Sequence, residues 1–136
     1  MPVRYLLDTN MASCVIKGNV PHVRERLRKV AMSEVGISVI TEAELRFGVA
    51  KKPPAASLEM AVEEFLLRVE ILAWDSDAAK SYAKIRAELE RSGEPIGNLD
   101  MMIAAHAMAT QALLVTHDRV FHRVKQLKLD DWTKPH

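Results

Sequence analysis

The feature that most constrains the fold is a short apolar run near the start of the chain. It covers residues 3–7 and stops at the polar triplet Asp8, Thr9 and Asn10. A run of this length, bounded by turn-forming residues, is typical of a strand buried on both faces. Such strands belong to parallel sheets covered by helices on both sides, where ligands bind beyond the carboxyl ends of the strands. Asp8 therefore either caps the next helix or belongs to a functional site.

Further strand-like runs alternate with helical patterns along the chain. Predicted strands cover 3–7, 35–39, 69–72, 112–116 and 126–129, and predicted helices cover 11–17, 21–30, 42–49, 55–68, 76–91, 98–110 and 119–124. Thr9 or Asn10 is the predicted N-cap of the first helix, and Thr41 that of the helix over 42–49. The helix over 98–110 is apolar nearly all round, which indicates burial. The alternation predicts one α/β sandwich domain spanning residues 1–136, with right-handed crossovers.

Composition narrows the functional classes. The 136 residues include 19 Lys and Arg and 18 Asp and Glu, so a net charge of +1 neither favours nor opposes nucleic-acid binding. A single cysteine, Cys14, cannot form an internal disulfide, which fits a reducing cytosol. We see no signal-peptide pattern and no apolar stretch near the roughly 18 residues of a membrane helix, so a cytoplasmic protein is expected. Zinc-ligand spacings and glycine-rich phosphate loops are also missing.

Four carboxylates occupy comparable places in the predicted elements: Asp8, Glu44, Asp100 and Asp118. Asp8 follows the first strand, and Asp118 follows the strand over 112–116 by two residues. The two acids meet at one edge of the sheet if those strands are neighbours. Asp100 lies in the first turn of the buried helix, where Asn98 and the helix dipole offer a purely structural explanation for it.

The helix over 42–49 separates two competing glutamates. At about 100° per residue, Glu44 lies about 40° from Ile40 and about 60° from Phe47, within the apolar stripe. Glu42 lies about 160° from Ile40, on the solvent side. Glu44 is therefore predicted to point at the edge of the core, where an acid is costly without a partner.

Each acid alone has an ordinary structural explanation, but together they suggest a metal site. Acids that converge on one strand end repel one another, and some take up protons unless a cation lies among them. Oxygen-only ligation selects a hard ion such as Mg²⁺ or Mn²⁺. Carboxylates with such an ion commonly serve the hydrolysis of phosphodiesters. The residues therefore favour a metal-dependent nuclease.

At these residues the sequence resembles the PIN-domain ribonucleases, and among them the VapC-type toxins of bacterial toxin–antitoxin pairs. The resemblance rests on four segments, 7–10, 37–48, 100–107 and 114–118. It implies that the catalytic and metal-binding acids are Asp8, Glu44, Asp100 and Asp118, the last at a position that varies between aspartate and asparagine in the family. It also implies a three-layer sandwich whose five-stranded, mainly parallel sheet has the first strand at its centre.

The same resemblance implies a cofactor, partners and a substrate. The expected activity is that of an Mg²⁺-dependent endoribonuclease, in which Mn²⁺ can substitute, and the expected assembly is a homodimer inhibited by a VapB-like antitoxin. The sequence is similar to the VapC branch that cuts initiator tRNA in its anticodon loop and so inhibits translation. Thr9, Asn10 and Thr116 are expected to orient water or a phosphate oxygen.

Several residues and two other protein classes stay open at this point. Four basic residues on the helix over 21–30 either hold tRNA phosphates or form a solvated face; they are Arg24, Arg26, Arg28 and Lys29. His106 is predicted to be a hydrogen-bonded core residue, and His117 either a phosphate contact or a surface turn residue. A signalling receiver domain is disfavoured because the sequence lacks the lysine that such domains carry late in the chain as a partner of their acids. An inert PIN-like module, whose acids only hold RNA or an arginine-bearing partner, is the remaining alternative.

Overall fold

The computed structural model describes residues 2–135, and a five-stranded parallel sheet forms its centre. The strand order is β3-β2-β1-β4-β5, so the first strand is central, as the resemblance implies. The strands are β1 (Tyr5–Leu7), β2 (Val35–Ser38), β3 (Glu70–Leu72), β4 (Leu113–Val115) and β5 (Leu129–Asp130). Strand order reverses beside β1, which creates a crevice at the carboxyl edge of the sheet.

Helices cover both faces of the sheet, which confirms the predicted three-layer α/β sandwich. The α-helices are α1 (Thr9–Lys17), α2 (Pro21–Lys29), α3 (Val39–Ala50), α4 (Ala56–Arg68), α5 (Ser76–Ser92) and α6 (Asn98–Thr110). Two short 3₁₀ turns cover Met32–Glu34 and Arg119–Arg123. Helices α1 to α4 pack on one face, and α5 and α6 pack on the other. No helix within residues 2–135 has the length and hydrophobicity needed to cross a bilayer.

The central strand is buried on both faces, as predicted. Tyr5 and Leu7 belong to the core cluster under α1 to α4, whereas Leu6 belongs to the cluster under α5 and α6. This alternation follows from the two-residue period of a strand. Full burial of a leucine contributes about 2 kcal/mol of hydrophobic free energy, so β1 holds the two layers together and fixes the position of the residue that follows it.

Three details of the predicted elements were wrong, and each reflects tertiary structure. The N-cap of α1 is Asp8, not Thr9 or Asn10. Helix α3 begins at Val39 behind the N-cap Ser38, so the predicted cap at Thr41 is also wrong. Residues 39 and 40 are β-branched and favour strands locally, but Ser38 accepts a bond from the backbone nitrogen of Ile40 and starts the helix at the strand end. The edge strand lies at 129–130, not 126–129.

Candidate active site

Asp8 lies where the central strand ends, and both of its carboxylate oxygens accept hydrogen bonds. Oδ1 accepts from the backbone nitrogen of Met11 at 2.7 Å, which caps α1. Oδ2 accepts from the hydroxyl of Thr116 at 2.5 Å, just beyond the end of β4. The side chain is almost fully buried, with 3% of its surface exposed. Asp8 therefore combines the two roles that the sequence left open, because it caps a helix and also faces the carboxyl edge of the sheet.

The pKa of Asp8 is raised from 3.8 to about 6. Burial is the largest cause, since a charged carboxylate loses its hydration there. The hydrogen bonds from Thr116 and Met11 oppose this rise, and the negative charges of Asp100 and Asp118 add to it. Three of the four predicted acids therefore act on one another electrostatically.

Glu44 reaches the same region from α3. Its Oε1 accepts a hydrogen bond of 2.5 Å from the hydroxyl of Thr9, the first residue of α1. Glu42 instead forms an ion pair with Arg46, 2.9 Å away on the surface. The two glutamates therefore have different partners, but both are half-buried, so the predicted solvent-side position of Glu42 was wrong. Phe47, which was assigned to the apolar stripe, is 64% exposed.

Asp100 stands in the first turn of α6 without the predicted capping arrangement. The N-cap is Gly97, and no side chain caps this helix. Burial raises the pKa of Asp100, and the charges of Asp118 and Glu44 raise it further. Within residues 2–135 its carboxylate has no hydrogen-bond partner, so its oxygens are available to a ligand.

Two hydrogen bonds, one buried and one partly buried, hold α6, and with it Asp100, against its neighbours. Nδ1 of His106 lies 2.8 Å from the hydroxyl of Ser38, at the end of β2. The indole nitrogen of Trp74 donates to the carbonyl of Met102 at 2.9 Å. His106 is 1% exposed, which confirms that it is a hydrogen-bonded core residue.

Asp118 is exposed and lies just after β4. Its Oδ1 accepts from the backbone nitrogen of Val120 at 3.0 Å and caps a 3₁₀ turn. Its own backbone nitrogen donates to Thr116 Oγ1 at 3.0 Å. Thr116 therefore connects two of the predicted acids, since it donates to Asp8 and accepts from Asp118.

We call the region formed by Asp8, Glu44, Asp100 and Asp118 the acid pocket. It fits a cation that keeps its bound waters better than a cation without them. Burial raises the pKa of both Asp8 and Asp100, and the charges of neighbouring acids raise both further; a cation among the acids would relieve that repulsion. Among residues 2–135, however, no three His, Cys, Asp or Glu side chains come close enough to hold an ion directly. Mg²⁺ commonly keeps several waters and takes only one or two carboxylates, so this oxygen donor set suits an ion held in that way.

The remaining predicted residues differ in their surroundings. Asn10 is exposed in the first turn of α1. Arg24, Arg28 and Lys29 are exposed on α2 and form no ion pair within the described chain. Arg26 is different, because its guanidinium pairs with Asp130 at 2.8 Å and also lies over the ring of Trp132. A phosphate-binding role for this basic group stays a prediction.

Sequence reasoning missed a polar cluster beside the acids. Nδ1 of His117 lies 2.9 Å from Oδ2 of Asp131, and the hydroxyl of Thr133 donates to Oδ1 of Asp131 at 2.6 Å. The signal available in the sequence was the position of His117 directly after a strand that ends at the site. Its partners come from a turn near the end of the chain, which periodicity does not locate.

Comparison of the sequence with known proteins finds one family model and several related ribonucleases that match nearly the whole chain. The PIN domain family model matches residues 5–127. The tRNA(fMet)-specific endonuclease VapC of Salmonella typhimurium is 40% identical over 132 residues, which cover 96% of this chain and 98% of that protein. Ribonuclease VapC2 of Rickettsia felis is 36% identical over 132 residues, with coverage of 96% and 98%.

Two solved structures show the same architecture. DNA-bound VapBC from Salmonella typhimurium superposes with a TM-score of 0.89 at 38% identity, covering 96% of this chain and 98% of the matched one. VapBC2 from Rickettsia felis, bound to a DNA fragment from its promoter, gives a TM-score of 0.88 at 34% identity and covers 96% and 99%. Both similarities extend over nearly the whole chain.

Proposed function

Since the chain belongs to the PIN-domain family, we propose that it is a metal-dependent endoribonuclease and the toxin of a toxin–antitoxin pair. The observation that carries the proposal is the placement of acids from four separate segments at the switch point of the sheet, where Thr116 joins Asp8 to Asp118, Thr9 holds Glu44, and Asp100 opens α6. Relatives at 36–40% identity are named as VapC endonucleases and ribonucleases. We place the activity in the cytoplasm, where its RNA substrate occurs, and regard residues 1–136 as one PIN domain.

The residues of the pocket prepare it for phosphodiester hydrolysis. Mg²⁺, or Mn²⁺ in its place, would supply water activation and neutralise the charge that develops on the phosphate. Asp8 and Asp100 would hold it, with Glu44 and Asp118 as further oxygen donors. Thr116 fixes the orientation of Asp8, so a water molecule or phosphate oxygen meets a carboxylate already in place.

Thr9 fixes Glu44 in the same way from the other side of the pocket. Asn10, one residue further along α1, presents an exposed amide at the same edge. We assign both residues a supporting role in orienting water or a phosphate oxygen. The reaction is then hydrolysis in line with the leaving oxygen, giving one product with a 5′-phosphate and one with a 3′-hydroxyl.

The proposed RNA substrate is a tRNA. A relative of 40% identity is named as specific for tRNA(fMet), so initiator tRNA, cut in its anticodon loop, is the first candidate. Cutting it would stop translation at initiation.

The proposed partner is a VapB-like antitoxin. The solved relatives are VapBC complexes. A small groove of about 150 Å³ between α1, α3 and α4 is lined by Ile16, Leu58 and Val62, and also by Thr9 and Glu44. An apolar segment of a partner would fit this groove, and an arginine on it could pair with Glu44 by a charge-assisted hydrogen bond. The predicted homodimer stays a prediction.

The test is to map RNA 5′ ends in cells after brief expression of the chain, with Asp8→Asn as control. The proposal expects new 5′-phosphate ends in one or a few tRNA loops that depend on Asp8. New ends that appear equally with Asp8→Asn would refute the site assignment. Absence of new ends, with antitoxin binding retained, would support the inert binding module instead.

A further inference from the structure

A second cavity adjoins the acid pocket on the side of the C-terminal segment. It has a volume of about 580 Å³, large enough for a nucleotide-sized group. Its lining includes Thr116, His117, Asp118, Arg119, Asp131 and Lys134. Because Thr116 is bonded to Asp8 and Asp118 acts electrostatically on Asp8, this cavity continues directly from the acid pocket. We refer to it as the C-terminal cavity.

The acids in the C-terminal cavity are mostly compensated by partners. Asp130 pairs with Arg26 at 2.8 Å. Asp131 lies 2.9 Å from the imidazole nitrogen of His117 and accepts from Thr133. Only Asp118, at the end next to the acid pocket, lacks a side-chain partner within residues 2–135.

The cations of the same cavity are not compensated. Arg119 and Lys134 are both exposed and form no ion pair or side-chain hydrogen bond within the described chain. The cavity therefore presents two unpaired positive charges beside a pocket that is strongly negative.

An RNA strand requires this kind of charge arrangement. Its phosphates are repelled by the acids, so the backbone next to the cleaved bond must be held by cations outside the pocket. Phosphate contacts of this type position the strand without reading its sequence. Asp131 and Thr133 fix the ring of His117, so one wall of the cavity is ordered before RNA binds.

We propose that the C-terminal cavity is the subsite for a backbone phosphate of the RNA adjacent to the cleaved bond, with Arg119 and Lys134 as the contacts and His117 as an ordered wall. The inference rests on the proposed nuclease function and adds a binding subsite to it. It adds a phosphate contact outside α2, on which Arg26 is already paired with Asp130.

The test compares two double variants of equal charge change. Arg119→Gln/Lys134→Gln removes both proposed contacts, whereas Lys125→Gln/Lys128→Gln removes two exposed lysines elsewhere on the surface that do not line the cavity. With an initiator tRNA transcript, the first variant is expected to raise KM about tenfold while kcat stays within about twofold, because the lost contact is made equally in ground and transition states. The second variant is expected to match the wild type.

The salt dependence of RNA affinity gives an independent test of the phosphate contact. Each phosphate contact to a single strand contributes about 0.7 to the slope of log affinity against log salt concentration. The Arg119→Gln/Lys134→Gln variant should therefore lose about 0.7 from that slope, because one phosphate contact is removed, and the same loss is expected with an RNA of unrelated sequence. A loss confined to one sequence would overturn the assignment of backbone contacts.

A neutral-phosphate scan locates the contact. Replacing single phosphates of the substrate by methylphosphonates should raise KM for the wild type at one position beside the cleaved bond, and should have no further effect at that position in Arg119→Gln/Lys134→Gln. A wild type that cleaves RNA, with both double variants equal to it, would overturn the subsite alone. A wild type that cleaves no RNA would overturn the proposed function, and the subsite with it.

Discussion

The carboxylate of Asp8 and the hydroxyl of Thr116 share a hydrogen bond of 2.5 Å, although the two residues are 108 positions apart in the chain. The bond crosses the carboxyl ends of β1 and β4 at the switch point of the sheet. It fixes the orientation of the most buried acid of the pocket and lowers the pKa of that acid against the effect of burial.

Replacing Thr116 by valine should weaken the nuclease without unfolding it. Thr116→Val keeps the side-chain shape but leaves a buried oxygen of Asp8 without its donor, which typically costs about 1–3 kcal/mol. The pKa of Asp8 should then rise, since the lost bond lowers it. The acidic limb of the pH profile of kcat/KM should shift to higher pH, and Thr116→Ser should restore it. An unchanged profile would show that the bond does not tune Asp8.

Asp8→Asn should abolish cleavage and keep the fold. The amide oxygen can still accept from Met11, so the cap of α1 survives. Loss of one carboxylate should weaken metal binding and lower the cleavage rate by about 100-fold or more. The measurement is RNA cleavage and Mg²⁺ binding, with circular dichroism as the folding control. Cleavage at the normal rate would contradict the placement of the active site.

Glu44 and Glu42 form a matched pair of variants on one helix. Glu44→Gln should lower cleavage because it removes an acid that faces Asp100 and is held by Thr9. Glu42→Gln should leave cleavage almost unchanged, since its carboxylate pairs with Arg46 on the surface. Cleavage rates of both variants measured at several Mg²⁺ concentrations test this prediction. A higher Mg²⁺ concentration should partly restore the rate of Glu44→Gln and leave that of Glu42→Gln unchanged. The opposite order of damage would refute the geometric argument.

The metal-free protein should lose stability as pH rises. The pKa of Asp8 is about 6 in the fold against an ordinary value of 3.8, so the native state holds its proton more tightly than the unfolded chain. The stabilisation that Asp8 contributes to the free energy of unfolding, up to about 3 kcal/mol, is therefore present in full below about pH 4. It is lost as pH rises through about 6. Asp100, whose pKa is also raised, acts in the same direction.

Chemical denaturation of the wild type and of Asp8→Asn in a chelator between about pH 4 and 7 measures this contribution. The wild type should lose more free energy of unfolding than the variant over that range, and Mg²⁺ should restore it at the upper end. If the free energy of unfolding of the two proteins depends equally on pH, burial does not raise the pKa of Asp8.

Trp132→Ala should be strongly destabilising. Its indole is fully buried, packs edge-to-face on Tyr5 at 5.5 Å, and donates to Asp130. Removing a buried tryptophan costs about 3–5 kcal/mol, which urea denaturation monitored by circular dichroism can measure. Trp74→Ala, at a half-buried position, should cost less. A smaller effect for Trp132→Ala would mean that the C-terminal segment is not part of the core.

The helices and the central strand were predictable because their signals are local. The helix over 98–110 was predicted with the bounds that α6 has, since its residues are apolar nearly all round; the structure shows that Gln111 ends it in the left-handed conformation. The start of α3 was not predictable, because residues 39 and 40 favour a strand locally and the cap Ser38 lies inside the predicted strand. Edge strand β5 depends on pairing with β4, which periodicity does not reveal.

The candidate acids were also predictable, but their hydrogen bonds were not. Asp8 and Asp118 follow strands, whereas the helical angles used to select Glu44 relied on Phe47, which is exposed. The bonds from Thr9 and Thr116 depend on which elements become neighbours in space. The clusters of Arg26 with Asp130 and of His117 with Asp131 join distant parts of the chain, so no short pattern signals them.

The packing of Trp132 on Tyr5 has a consequence for biosynthesis. The first strand to leave the ribosome finds its aromatic neighbour only when almost all the rest of the chain has been translated. Asp8 likewise can form its hydrogen bond with Thr116 only after residue 116 has been synthesised. An incomplete nascent chain therefore has neither a complete core nor an assembled acid pocket. Destructive activity against RNA would then arise in one step, after translation of the chain is nearly finished.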